Sequence, residues 1–327
     1  MSDERPANLV TSVRQRLLHV SRERGEDFQL VLTRFAVERF LYRLARSRYS
    51  GRFVLKGAML VNIWMGGSHR PTRDLDLLGY GDASPAHLAS VFSEVCEVNV
   101  EPDGLTFDGS SIEVTEIRED QEYQGQRVRL VARLGKAVCT VQVDIGFGDA
   151  VVPGAHMTEY PSLLDFPAPI IQAYPPETVV SEKLQAMVAL GMVNSRMKDI
   201  YDLGVIARQF TFEGSKVVEA IRATFERRRT RIPHSAPPAL SEEFASDRDK
   251  RAQWRAFVNR AGLRHRVDEL PQVVNELRIF LEPPLSAAAA ATSFSRVWKP
   301  GGPWSTKVRE RSRTHRTASD VARTADY

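Results

Sequence analysis

The segment Thr72-Arg73-Asp74-Leu75-Asp76-Leu77-Leu78-Gly79 places two carboxylates one residue apart inside an alternating apolar run. Period-two alternation marks a strand, so Asp74 and Asp76 project from one side while Leu75 and Leu77 enter a core. Two ionised carboxylates a few ångströms apart repel, and burying them is costly without a cation between them. Hard oxygen donors of this kind suit Mg²⁺ or Mn²⁺, with substrate phosphates completing the shell. Metal ions on adjacent carboxylates are the equipment of phosphoryl and nucleotidyl transfer. A third ligand is expected from a neighbouring strand, and Asp144, near the end of the apolar run 137–146, is the candidate. The competing reading is a strand edge with exposed acids. Asp149, a few residues on, reads as a turn residue.

The loop ahead of the pair holds Gly66, Gly67, Ser68 and Thr72. Glycine lets a backbone present N–H groups to phosphates, and the hydroxyls of Ser68 and Thr72 add donors. Lys56 either binds phosphate or closes a strand end. Farther along, Asp199 and Asp202 are three residues apart and so share a helix face. From the residues alone, Lys183 on the preceding helix reads as their inter-helix ion-pair partner. Arg196 reads as a helix-surface cation, and the run Glu226-Arg227-Arg228-Arg229-Thr230-Arg231 as a solvated helix end.

Two stretches carry a resemblance. The run Phe53–Leu77, FVLKGAMLVNIWMGGSHRPTRDLDL, resembles the opening signature of the AbiEii/AbiGii nucleotidyltransferase-like toxins, which include the mycobacterial MenT enzymes. That signature has Lys-Gly-Gly at a helix start, Arg before Ser or Thr, then Asp-x-Asp. Here these are Lys56-Gly57-Ala58, Arg70, Thr72, Asp74 and Asp76, with Ala58 in place of the second glycine. The run Glu182–Leu203, EKLQAMVALGMVNSRMKDIYDL, is similar to the family's second block through Lys183, Arg196, Lys198-Asp199 and Tyr201-Asp202. The resemblance covers roughly residues 28–210.

It implies a toxin of a bacterial toxin–antitoxin or abortive-infection system that moves a nucleoside monophosphate from an NTP to an acceptor, releasing pyrophosphate. In the MenT branch the acceptor is the 3′ end of tRNA. Asp74, Asp76, Lys183 and Asp199 would then be catalytic, and Asp74, Asp76 and Asp144 would hold the metal. Gly67, Ser68, Arg70, Thr72, Lys56 and Asp202 would bind the nucleotide. Lys183 would contact the triphosphate and offset charge on the leaving pyrophosphate. Asp199 would orient that lysine or act on the acceptor hydroxyl. An NTP, a tRNA or other nucleic-acid acceptor and a cognate antitoxin are the expected partners. The rival readings are transfer to a small molecule or protein hydroxyl, and a non-catalytic nucleotide-binding module.

These residues need a scaffold. Helical periodicity runs over 6–21 and 27–48, then a short strand at 52–55, a helix at 57–65, the loop, and the strand at 74–79. Ser84 and Pro85 open another helix, followed by β-like runs at 111–117, 127–134 and 137–146. Beyond about residue 168 the pattern is helical: one helix between Pro175-Pro176 and Gly191, one capped by Asn194 or Ser195, and others at 214–227, 240–246, 250–262 and 266–280. The expected architecture is α+β, a nucleotidyltransferase-like mixed sheet core over 1–165 with N-terminal helices. A helical domain over 166–283 completes the cleft, and 284–327 forms a basic, disordered tail.

Composition bounds the rest. The chain has 327 residues and a net charge of +4, but residues 286–327 contribute eight lysines and arginines against three acids, leaving residues 1–285 at −1. The basic character belongs to the tail. No apolar run is long enough to span a bilayer, so no membrane role is expected. Cys96 and Cys139 sit in apolar contexts and offer neither a disulfide framework nor a zinc spacing, which suggests the cytoplasm.

Overall fold

The runs Phe53–Lys56 (β1) and Leu75–Gly79 (β2) pair antiparallel at the heart of a seven-stranded mixed sheet. The computed structural model describes residues 4–66, 72, 74–120, 123–263 and 267–306. The other strands are β3 (Thr106–Asp120), β4 (Tyr123–Leu134), β5 (Ala137–Phe147), β6 (His156–Glu159) and β7 (Ile170–Ala173). Their order is β3-β4-β5-β2-β1-β7-β6. β2 runs parallel to β5, and β1 runs parallel to β7. Leu75, Leu77, Val143 and Ile145 are wholly buried, as the alternation requires.

Four helices serve the first half: α1 (Glu4–Arg24), α2 (Phe28–Arg46), α3 (Gly57–Trp64) and α4 (Pro85–Cys96). Asp27 caps α2, its carboxylate accepting from the Leu30 N–H at 3.2 Å. Phe40 of α2 stacks on Phe92 of α4 at 5.5 Å, and Phe92 meets Phe53 edge-on at 5.8 Å. These helices therefore cover the sheet face that carries Phe53. Lys56, three residues on, points to the opposite face.

The second half holds α5 (Pro176–Leu190), α6 (Met197–Gln209), β8 (Phe212–Glu213), α7 (Gly214–Arg227), α8 (Glu242–Ser246), α9 (Arg248–Arg260) and α10 (Leu270–Ala289). The α+β expectation holds: a mixed sheet with helices, then a mainly helical part. α6 starts at Met197 with Arg196 as its cap residue, and the Asn194 carboxamide accepts from the Arg196 N–H at 2.9 Å. No described helix is long and apolar enough to cross a membrane.

The expected disorder of residues 284–327 is corrected over 284–306, while 307–327 lie outside the described residues. α10 continues through Pro283 and Pro284 to Ala289, and β9 (Arg296–Trp298) and β10 (Trp304–Thr306) join β8 in a three-stranded sheet. Trp298 and Trp304 are nearly fully buried against Phe280, with ring centroids 4.8 and 5.9 Å away. Their indole N–H groups donate to Ala207 O at 2.7 Å and Phe280 O at 2.8 Å. The two tryptophans supply enough apolar surface to order a stretch with no helical or strand period.

Candidate active site

Sheet register, before any side-chain contact, assembles the site. β1 sets Lys56 opposite Asp76, β2 sets Asp76 beside Asp144, and β4 sets Arg127 opposite Asp144. Paired residues point to the same side, so Lys56, Asp76, Asp144 and Arg127 form one transverse row on the face that α2 and α4 leave open.

Asp76 is seated by a glycine. Gly57 opens α3 with φ +73°, and a Cβ placed there would fall inside the Asp76 carboxylate. Glycine alone allows both that backbone and that approach. The carboxylate thereby rests at the N-terminal end of α3, where the helix dipole favours negative charge. Asp74 stands on the same side of β2, exposed at the rim.

The row opens into a cavity of about 570 Å³. Lys56, Gly57, Thr72, Asp74, Asp76, Arg127 and Asp144 line its sheet side, and Glu182, Lys183, Arg196, Lys198, Asp199 and Arg228 its helical side. A narrower recess of about 100 Å³ continues from it between Leu77, Ile117, Ile145 and Phe147. Of the expected site residues, Lys56, Thr72, Asp74, Asp76, Asp144, Lys183 and Asp199 thus line one cavity, and Asp202 lies just behind it on Lys183. Gly67, Ser68 and Arg70 lie outside the described residues.

On the helical side, Lys183 donates to Asp199 Oδ1 at 2.5 Å and to Asp202 Oδ2 at 2.8 Å. Burial pushes its pKa down, but attraction to the two aspartates and the bonds to them outweigh that, and the net shift is upward. The ammonium stays charged. It has three donors, two of which the aspartates take.

Lys56 and Asp144 are both engaged within the protein. Lys56 donates to Asp149 Oδ2 at 2.6 Å and Glu182 Oε1 at 3.2 Å, and lies 5.2 Å from the Tyr174 ring centroid. Asp144 accepts a bidentate fork from Arg127, with both bonds at 2.7 Å. Of the three expected carboxylates, Asp144 adjoins Asp76 in the sheet, and both its oxygens accept from Arg127 in this structure. Among the described residues no three histidine, cysteine or carboxylate side chains converge as a metal site. Asp74 and Asp76 present hard oxygen donors on the same side of β2. Mg²⁺ is commonly held by one or two carboxylates with phosphates and water completing the shell, so the pair fits that ion.

Three residues escaped the sequence reading. Asp149 is a buried anchor and no mere turn residue, bonded to Lys56 and, at 3.1 Å, to Arg228. Burial would raise its pKa, but Lys56 and Arg228 hold it well below the usual carboxylate range. Glu182 pairs with the same two cations, yet burial and the Asp149 charge win and its pKa is raised. Arg228 belongs to the run read as solvated. It turns inward to Asp149, Glu182 and Gln185, while Arg227 donates to Gly148 O. The available signal was Glu182 directly beside Lys183; a three-arginine run gives no clue to which member faces in.

A family model described as the nucleotidyl transferase AbiEii toxin of type IV toxin–antitoxin systems matches residues 39–273. Two solved structures from Helicobacter pylori are also similar, one described as a proposed nucleotidyltransferase and the other as JHP933. Each is 16% identical with a TM-score of 0.41 and covers 77% of this chain, spanning 90% and 87% of the respective neighbour. Likeness at that distance carries no functional weight. No curated protein matches the chain.

Proposed function

Because this chain belongs to the AbiEii nucleotidyltransferase-toxin family, whose model spans residues 39–273, we propose that its cleft transfers a nucleoside monophosphate from an NTP to the 3′ end of tRNA. One observation carries the reading: Asp76 is held by Gly57 in a cavity of about 570 Å³, across from a charged lysine fixed by two aspartates. That is a site shaped for a phosphate ester and a polarising cation.

Asp74 and Asp76 would hold a divalent ion, Mg²⁺ or Mn²⁺. When bound, the ion supplies charge neutralisation at the reacting phosphate. Thr72 offers its hydroxyl at the rim of the same cavity. Lys183 keeps one ammonium donor for the substrate, and Asp199 and Asp202 fix its direction. Asp144 orients Arg127, whose guanidinium closes the end of the row. The paired Lys56 braces the floor beneath Asp76 from Asp149 and Glu182. The acceptor hydroxyl attacks the α-phosphorus, the bond to the bridging oxygen breaks, and pyrophosphate leaves. Toxicity would follow from blocked aminoacylation, and a cognate antitoxin would restrain it.

The test is incubation with each α-labelled NTP, Mg²⁺ and total RNA or cell lysate. The expected result is label on tRNA 3′ ends, abolished by Asp76→Ala. Label on a protein or small molecule instead would replace the acceptor. No transfer under any NTP, with toxicity indifferent to Asp76→Ala, would leave a nucleotide-binding module without chemistry.

A further inference from the structure

Six lysines and arginines among the described residues line the cleft and its recess: Lys56, Arg127, Lys183, Arg196, Lys198 and Arg228. Four are neutralised. Lys56 and Arg228 share Asp149 and Glu182, Arg127 has Asp144, and Lys183 has two aspartates. The Lys183 cluster by itself is net negative. Asp74 and Asp76 add further negative charge, so the cleft without added cations repels a polyphosphate.

Arg196 and Lys198 are the exceptions. Neither side chain makes an ion pair or hydrogen bond among the described residues. Lys198 is exposed, whereas Arg196 is half-buried and lines both the cavity and the recess. Its backbone is braced: Asn194, itself buried, accepts from the Arg196 N–H, and the Asn194 carbonyl accepts from Lys250 Nζ at 3.0 Å. A half-buried guanidinium with no protein partner has lost part of its hydration without a compensating ion pair. A ligand that bridges its donors removes that cost. The planar fork matches two phosphate oxygens at once.

We propose that Arg196, rather than the neutralised Lys183, is the cation that grips the β- and γ-phosphates of the incoming NTP, and so makes the cleft prefer triphosphates to monophosphates. This rests on the nucleotidyltransferase reading. Asp74 and Asp76 mark the place of the reacting α-phosphate, and Arg196 reaches the same cavity from the opposite wall. Arg196 also holds the pyrophosphate as it departs, so it acts on both binding and release.

Calorimetry separates the two layers. Wild type, Arg196→Ala and Arg196→Lys are titrated with α,β-methylene NTPs and the matching NMPs in Mg²⁺. Wild type is expected to prefer the triphosphate analogue. Arg196→Ala loses about tenfold or more of that affinity and keeps its NMP affinity, and Arg196→Lys recovers part of the loss. A melting temperature within a few degrees of wild type shows that the alanine variant is folded. Wild type with no triphosphate preference overturns the nucleotidyltransferase reading and this inference with it. A wild-type preference that Arg196→Ala retains overturns the inference alone. Equal loss of NTP and NMP affinity in a folded Arg196→Ala also overturns it, because the contact would then lie at the α-phosphate or nucleoside.

Discussion

At the residue scale, the site turns on a position without a side chain. Gly57 occupies the left-handed region at φ +73°, and its missing Cβ is the space in which the Asp76 carboxylate sits. Gly57→Ala therefore faces two penalties. The backbone costs about 1–2 kcal/mol, and Asp76 must move. Displacement of a reacting group by about 1 Å can cost on the order of 100-fold in rate. The expected outcome is a folded protein with a modestly lowered melting temperature and a label-transfer rate down by about that factor. A variant that keeps full transfer would show that Asp76 need not rest on this glycine. The pairing of Lys56-Gly57 with Asp76 is also where the sequence was most informative. The motif named the residues, but only the sheet register explains why they occur together.

At the element scale, α5 and α6 form the opposing wall, and one lysine joins them. Asp202 is fully buried and Asp199 nearly so, both bonded to Lys183. Removing Asp202 leaves a buried ammonium with one partner fewer. Breaking a buried pair in this way typically costs about 3–5 kcal/mol. Asp202→Ala should lower the unfolding free energy in urea by that amount, while Arg208→Ala, on half-exposed pairs with Asp268 and Glu276, should lower it little. Equal shifts would remove the cluster's structural role. The helices α5 and α6 were legible because Pro175-Pro176, Gly191 and an apolar period bound them. The partner choices were not. Lys183 could be placed against two aspartates by spacing, but Asp149 and Arg228 meet only through tertiary contact across 79 residues of sequence, and Lys56 and Glu182 across 126. Strands β6, β7 and β8 were missed because two to four residues carry too little period to register.

At the scale of the whole molecule, the chain returns to itself. β9 and β10 close over the helical half and bury Trp298 and Trp304 around Phe280. Trp298→Ala should cost about 3–5 kcal/mol by urea denaturation, as large aromatic truncations in cores do. A value near zero would mean that the three-stranded sheet is peripheral to stability. The Ala- and Pro-rich sequence around 283–292 reads as low complexity, and only the two distant tryptophans reveal that it leads back into a core. The cleft sits between this half and the sheet, and the two sides meet in neighbouring residues of one helix. Glu182 answers to Lys56 on the sheet, and Lys183 answers to Asp199 and Asp202 on α6. A single peptide bond separates the two allegiances. Because the two partners sit on adjacent residues of α5, the sheet and α6 are tied to one short stretch of a single helix, and opening the cleft between them requires stretching or breaking at least one of these ion pairs.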